Sequence, residues 1–335
     1  MTTMLLERPR SAATTLEDAI TRRGFLAGGI GVGALFALPA CSAQSAAPAT
    51  AKTRRVSTVN GPADVPEQAQ RVVTLDSFTM GAAFDLGRTP VGVYSAGEQY
   101  VEPQFVEKWR PITKISKGTV GGSIDLEKVA TLKPDLILGI DGAKPPYEQL
   151  KQIAPTVILP FNNSKVPWRD MSDASAEALG LGNALQGLQQ RYTERTAAIK
   201  RDHADVLARV HWDIIQGGFD QGQFWVYGPK SPIGAILADA GVQFATASTK
   251  AVQQQTVSYE LIEDLRDADA IFYYSTNADK PANLGPELFD QTAFTTLPAT
   301  KANHLYGSVY FLPNCYSDAL GALDAFEKAL TALKS

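Results

Sequence analysis

A helix–strand unit occurs twice in this chain, and the repetition narrows the folds open to it. From Leu126 to Leu132 apolar residues recur at helical spacing, Pro134 stops the helix, and Asp135 to Ile140 reads as a strand apolar on both faces. From Tyr259 to Ile271 the same order returns with one extra residue: a glutamate opens the helix, a leucine lies five positions on, and a strand follows. Each copy sits in a longer run of the same kind. Before and after the first lie a strand at 71–75, a helix at 78–86 stopped by Gly87, a strand at 91–94, a helix at 147–153 and a strand at 156–159. Around the second lie strands at 212–216 and 223–227, a helix at 231–240 stopped by Gly241, a strand at 270–274, a late strand within 304–311 and a closing helix at 319–333. Strands of near-continuous apolar character alternating with helices imply a parallel sheet covered on both faces.

Between the two runs, Asp170 to Arg209 contains few strong breakers beyond Gly180, Gly182 and Gly187. Leu181, Leu185, Leu188, Tyr192, Ile199, Val206 and Leu207 recur there at helical spacing. The expected class is therefore α/β: two Rossmann-like lobes joined by one long rigid helix, with a ligand cleft where the lobes face each other. The boundaries fall at 56–168 for the first lobe, 169–209 for the linker helix and 210–335 for the second lobe. No Gly/Ser-rich stretch separates the halves.

The first 55 residues read as an address rather than a fold. Thr21-Arg22-Arg23-Gly24-Phe25-Leu26 resembles the twin-arginine export signals of bacteria, and the 16 residues from Phe25 to Ala40 carry no charge. Leu38-Pro39-Ala40-Cys41 resembles the lipobox of bacterial lipoproteins, in which a cysteine is lipidated and becomes the new N-terminus. A membrane-spanning anchor is the competing reading, but 16 residues with four glycines fall short of the roughly 20 that a bilayer requires. The expectation is a cleaved signal at 1–40, a lipid on Cys41, and a mobile tether at 41–55 that holds the protein on the outer face of the cytoplasmic membrane.

Composition excludes several functions. The leader holds four of the 31 Lys and Arg and three of the 35 Asp and Glu, leaving 27 against 32, or −5. A mildly acidic chain with no basic block is a poor partner for nucleic acid. With Cys41 lipidated, Cys315 has no partner in the chain, which rules out an internal disulfide and a thiolate metal site. His203, His211 and His304 are too scattered for a zinc or manganese site, so no metal ligands are assigned. There is no G-x-S-x-G elbow or phosphate loop, so no catalytic residue and no resident cofactor is assigned. Gly121-Gly122-Ser123 is only a weak candidate for anion binding at a helix start. An exported enzyme is the alternative of another class, since twin-arginine export often serves proteins that fold before transport.

From Ile124-Asp125-Leu126-Glu127 through Leu132-Lys133-Pro134-Asp135-Leu136-Ile137, the chain resembles the substrate-binding lipoproteins of bacterial ABC importers for ferric siderophores, haem and cobalamin. Arg71-Val72-Val73, Asp85-Leu86-Gly87 and Ala154-Pro155-Thr156-Val157 fit the same group. The resemblance runs from about Val56 to Leu333, with Val257-Ser258-Tyr259-Glu260 carrying it in the second lobe. It implies a monomeric carrier, attached to the membrane through its lipid alone, that delivers ligand to a permease dimer and closes only slightly about a stiff linker. It also implies that Glu127 and Glu260, one per lobe, dock on permease arginines. Such pairs fix orientation and register. Acidic residues also favour the first turn of a helix on their own account.

Ligands of open α/β sheets bind beyond the carboxyl ends of strands. In the first lobe those ends offer Ser77 and Phe78, Tyr94 and Ser95, Asp141 and Gly142, and the loop from Phe161 to Trp168. In the second they offer Phe219, Trp225, Tyr227, Tyr274 and Tyr310. Aromatic walls suit a large, partly apolar iron chelate that brings its own iron ligands, although aromatics on strands also serve as core. Arg169, with Lys144 and Lys230, supplies the few cations near these ends, so a weakly charged ferric hydroxamate fits better than a strongly anionic catecholate. Haem, with tyrosine as iron ligand, and cobalamin are the alternatives within the group.

Overall fold

The computed structural model describes residues 52–95, 97–98, 101–116, 123–161 and 166–334. The leader, Cys41 and the turn at 121–122 lie outside these residues. The chain enters through a hairpin, β1 (Thr53–Val56) paired antiparallel with β2 (Ala63–Pro66). Order thus begins inside the expected tether: Arg54 and Arg55 are strand residues. Arg55 pairs with Asp64 at 3.0 Å, and Arg54 donates to the Ala178 carbonyl at 2.7 Å.

The first lobe is a five-stranded parallel sheet in the order β5-β4-β3-β6-β7, where β3 is Val72–Thr74, β4 Gly92–Val93, β5 Thr113–Lys114, β6 Leu136–Ile140 and β7 Thr156–Leu159. β3, β4, β6 and β7 are buried throughout, as their largely apolar character requires, while the edge strand β5 is partly exposed. Successive residues face opposite cores. Val72, Leu136, Leu138 and Val157 join one, and Val73, Ile137 and Ile158 join the other. Helices α1 (Ser77–Asp85), α2 (Pro103–Trp109), α3 (Leu126–Thr131) and α4 (Tyr147–Ile153) make the crossovers.

The expected single linker helix is three. α5 (Trp168–Leu179) ends at Gly180, α6 (Gly182–Asp202) is 21 residues long, and α7 (Ala204–Leu207) follows it. Gly180 has φ +72°, and a Cβ there would lie 2.1 Å from the Glu67 carbonyl oxygen, so the β1–β2 hairpin occupies the space that any side chain would need. α5 packs on α1 and β7 of the first lobe, while α6 packs on α5 and on the last helix of the chain.

The second lobe holds β8 (His211–Gly217), β9 (Gln223–Tyr227), β10 (Gln243–Phe244), β11 (Gln254–Ser258), β12 (Ala270–Tyr274) and β13 (Leu305–Ser308) in the order β11-β9-β8-β12-β13, with β10 beside β8. The sheet is mixed rather than wholly parallel. β8 and β9 are joined by a short turn and so run antiparallel, as do β9 and β11. Helices α8 (Pro232–Asp239), α9 (Thr246–Ala251), α10 (Gly285–Phe289), α11 (Thr292–Thr295), α12 (Pro298–Lys301) and α13 (Tyr316–Ala332) cover it. Residues 259–265 form a kinked 3₁₀ turn, not an α-helix, and the late strand stops at Ser308 in a second such turn.

One apolar core runs through both lobes on the linker side. It includes Leu138 of β6, Trp168 of α5, Tyr192 of α6, Trp212 of β8 and Phe326 of α13. No helix among the described residues is long and apolar enough to cross a membrane.

Candidate functional site

The carboxyl ends of the two sheets face each other. Asn277, after β12, donates to the Glu98 carbonyl, after β4, at 3.0 Å. Phe78 at the start of α1 shares a small cavity with Tyr227, Pro232, Ile233, Phe311 and Leu312 of the second lobe. That cavity measures about 20 Å³. This is room for a single water and far below the 300–1,000 Å³ of a small-molecule site. The two lobes therefore touch at this point.

The first-lobe wall is fixed by two aspartates at strand ends. Asp76, just past β3, accepts from Thr79 N at 2.8 Å and Ile140 N at 3.0 Å, tying the start of α1 to the end of β6. Burial pushes its carboxyl up to about 6, although backbone N–H donors pull the other way. Asp141, past β6, accepts from Phe161 N at 2.8 Å, which sets that ring 4.6 Å from Phe78. Ser77 and Ser95 are half-buried beside this wall, and Tyr94 is buried.

In the second lobe, Phe219 is 63% exposed on the β8–β9 turn and stands edge-on to Trp225 at 5.2 Å. Trp225 and Tyr227 share a face of β9 but not an environment. Trp225 is half-buried, whereas Tyr227 is buried and donates its hydroxyl to Gln216 Oε1 at 2.7 Å. Tyr274 is also buried, stacked at 5.6 Å on Phe311. Tyr310 is half-buried and lies over Gly321 of α13, where a Cβ would come within 2.7 Å of the ring. Burial first, and then the carboxylates of Asp318, Glu102 and Asp324, push its hydroxyl up to about 12.

Two expected cleft residues lie elsewhere. Trp168 is 2% exposed and packs between Tyr192 and Tyr316, with ring centroids at 5.3 and 4.8 Å, so it belongs to the linker-side core. Arg169 goes with it. Its guanidinium pairs with Asp239 of α8 and lies 4.8 Å from the Trp168 ring and 4.9 Å from that of Tyr192. The local sequence Val166-Pro167-Trp168-Arg169 gives no hint of these partners, because every ring that holds Trp168 comes from later in the chain. Lys144 and Lys230 are exposed.

Glu127 and Glu260 are alike in setting. Asp125 caps α3 by accepting from Lys128 N at 3.1 Å, and Ser258 caps the 259–265 turn through Glu260 N at 3.3 Å. Each glutamate sits two residues past its cap, exposed at the positive end of its turn. The neighbours differ: Lys128 follows Glu127, while half-exposed Leu261 follows Glu260.

Sequence reasoning passed over a group of acids where the lobes meet. Asp85, Glu102 and Asp318 come from α1, the start of α2 and α13. Nothing in their local sequence separates them from surface charges.

Residues 72–308 match the family described as periplasmic binding protein. YhfQ of Bacillus subtilis, named as a substrate-binding lipoprotein of an ABC transporter, is 31% identical over 90% of this chain and 96% of its own. YxeB of the same organism, named an iron(3+)-hydroxamate-binding protein, is 25% identical over 79% of this chain and 80% of its own. The solved siderophore periplasmic binding protein from the fuscachelin gene cluster of Thermobifida fusca is 28% identical, with a TM-score of 0.68 over 80% of this chain and 98% of that one. The paired sheets, the helical link and the facing strand ends agree with these matches, and the chain belongs to the periplasmic binding protein family.

Proposed function

We propose that the cleft binds a ferric siderophore of the hydroxamate type and that the protein hands it to an ABC-importer permease. The reading rests on the family and on one observation within the site. The cation that would have received an anionic chelate, Arg169, is committed to Asp239 and two aromatic rings on the linker side. The accessible side chains at the strand ends are mainly aromatic: Phe78, Phe161, Phe219 and Trp225. Such walls favour a large chelate of low charge. Among the described residues only the exposed Lys144 and Lys230 remain near these ends to compensate a strongly anionic catecholate as it left water. Haem is less well served. A tyrosinate ligand requires a hydroxyl that ionises readily, and burial raises both Tyr227 and Tyr310. Glu127 and Glu260 are the proposed docking points, and a lipid on Cys41 the proposed anchor.

The test is a side-by-side titration of the full chain carrying Cys41→Ser. Ferric desferrioxamine B, ferrichrome, ferric enterobactin, haemin and cyanocobalamin are scored by thermal shift. A ligand at a hundred times its Kd adds about 2.7 kcal/mol of stability, so a true ligand stands out. Response to the two hydroxamates above the others supports the reading, and silence toward every iron chelate overturns it.

A further inference from the structure

One edge of the second sheet is open. β11 stands at that edge and pairs with β9 alone, without a break from Gln254 opposite Tyr227 to Ser258 opposite Gln223. Just outside the strand, Gly228 N donates to the Gln253 carbonyl at 2.7 Å and Tyr259 N to the Gly222 carbonyl at 2.8 Å. Antiparallel pairing alternates, so Gln255 and Val257 turn their backbone toward β9, as Gln253 and Tyr259 do, while Gln254, Thr256 and Ser258 turn theirs outward. These three residues are exposed, and their backbone N–H and C=O groups have no partner among the described residues. The other edges of the two large sheets are managed. β5 and β10 are two residues long, Val59 N donates at 3.0 Å to the Ile158 carbonyl of buried β7, and β13 packs on α13. β11 has none of the devices that blunt an edge: no proline, no bulge, and no charge from Ala251 to Tyr259.

We propose that this edge pairs with the same edge of a second copy of the chain, antiparallel about a twofold axis at Thr256, giving a dimer by strand addition where the family resemblance implies a monomer. With the axis there, Thr256 faces its own counterpart and Gln254 faces Ser258 of the other copy. Every outward N–H and C=O of the strand then gains a partner, and the contact closes on itself after two copies.

Charge selects this orientation. Lys250 precedes the strand and Glu260 follows it; both are exposed, and neither has an ion-pair partner among the described residues. Antiparallel pairing lays the Lys250 end of one copy on the Glu260 end of the other, whereas parallel pairing sets like charge on like. Apolar surface follows the same pattern. Val252 is 47% exposed at one end of the strand and Leu261 50% exposed at the other, and antiparallel pairing brings the two together at each end of the ladder. A contact of one short strand per copy is smaller than a permanent dimer needs, so the pair forms and dissolves with concentration. The paired state covers Glu260, so pairing and docking on a permease exclude each other. That consequence rests on the docking role proposed above; the dimer does not.

Sedimentation equilibrium of the full chain carrying Cys41→Ser, from about 1 μM to about 1 mM, spans the range of a weak dimer. The apparent molar mass should rise toward twice that of one chain at the top of the range. Thr256→Lys and Thr256→Glu should each hold it at the mass of one chain, because like charges then meet on the axis, and an equimolar mixture of the two should restore the doubling. Thr256→Pro should give the same loss without a charge and decides the matter if the charged variants fold poorly: the N–H it removes faces outward and takes no part in the β9 ladder. A wild-type mass that stays at one chain throughout overturns the proposal. So does a doubling that survives Thr256→Lys and Thr256→Pro, or a mixture of the charged variants that stays monomeric. Iron uptake unchanged by Glu260→Arg would remove the docking role and leave these masses to decide the dimer.

Discussion

Asp213 is the place where a single substitution should change how the protein's stability depends on pH. Its side chain is fully buried at the start of β8. Oδ1 accepts from Ser248 N of α9 at 2.8 Å, while Oδ2 has no partner. Burial, opposed by the bonds from Ser248 and aided by the charge of Asp267, lifts the carboxyl to about 6. An acid raised on folding contributes stability that is present below its unfolded value, near 3.9, and is lost as pH climbs through its folded value. For a folded value of about 6, the loss between pH 5 and pH 8 is about 1.4 kcal/mol. Asp213→Asn keeps an oxygen for Ser248 N and removes the titration. The variant should therefore gain about 1.4 kcal/mol on wild type between pH 5 and pH 8, a few degrees in Tm. Thermal unfolding of both proteins at pH 5, 6.5 and 8, at one ionic strength, measures it. A constant difference across that range would refute the assignment of a buried proton to Asp213, whatever the sign of the difference.

Three further outcomes follow from the geometry. Phe219→Ala or Trp225→Phe should weaken chelate binding and remove most of the quenching by a ferric hydroxamate, whereas Trp168→Phe should leave quenching nearly unchanged, as fluorescence titration would show. Glu127→Arg or Glu260→Arg should depress iron uptake by cells that depend on this protein and leave the Kd of the isolated protein for its chelate unaltered; a loss of binding would count against docking. Gly180→Ala should cost about 2 kcal/mol or more in denaturant unfolding, since the left-handed backbone and the Glu67 carbonyl both oppose a Cβ.

The legible parts of the fold were those decided by neighbours in sequence. Tyr147–Ile153, Thr156–Leu159, Gln223–Tyr227 and Ala270–Tyr274 stand where the apolar pattern put them, because Pro155, Gly228 and similar breakers fix their ends locally. The two-lobe α/β architecture followed from the same signals. What escaped was decided at a distance. Arg55 looked like a tether residue until Asp64 gave it a partner, and Gly180 was one of three glycines in an expected single helix until Glu67 filled the space beside it. Trp168 reads locally as an exposed loop ring, and only Tyr192 and Tyr316 make it core. Asp85 and Ser317 carry no periodic or motif signal at all, because their hydrogen bond exists only once two lobes are assembled.

The contrast between the two sides of the lobe contact also bears on how such a protein can open. On the linker side, Trp168, Tyr192 and Tyr316 interlock, and Trp212 packs edge-on to Phe326 at 5.0 Å within the same core. Parting these surfaces would expose several buried aromatics at roughly 25 cal/mol per Å², a cost no modest ligand affinity offsets. Elsewhere the lobes are bridged by Gln104–Asp318, Ser317–Asp85 and Asn277–Glu98, with Cys315 set among the Met80 and Phe84 cluster. Hydrogen bonds of this kind contribute only about 1 kcal/mol each, because water replaces them. Movement between the lobes should therefore break these hydrogen bonds before it parts the aromatic core. The aromatic core thus sets a small limit on the swing.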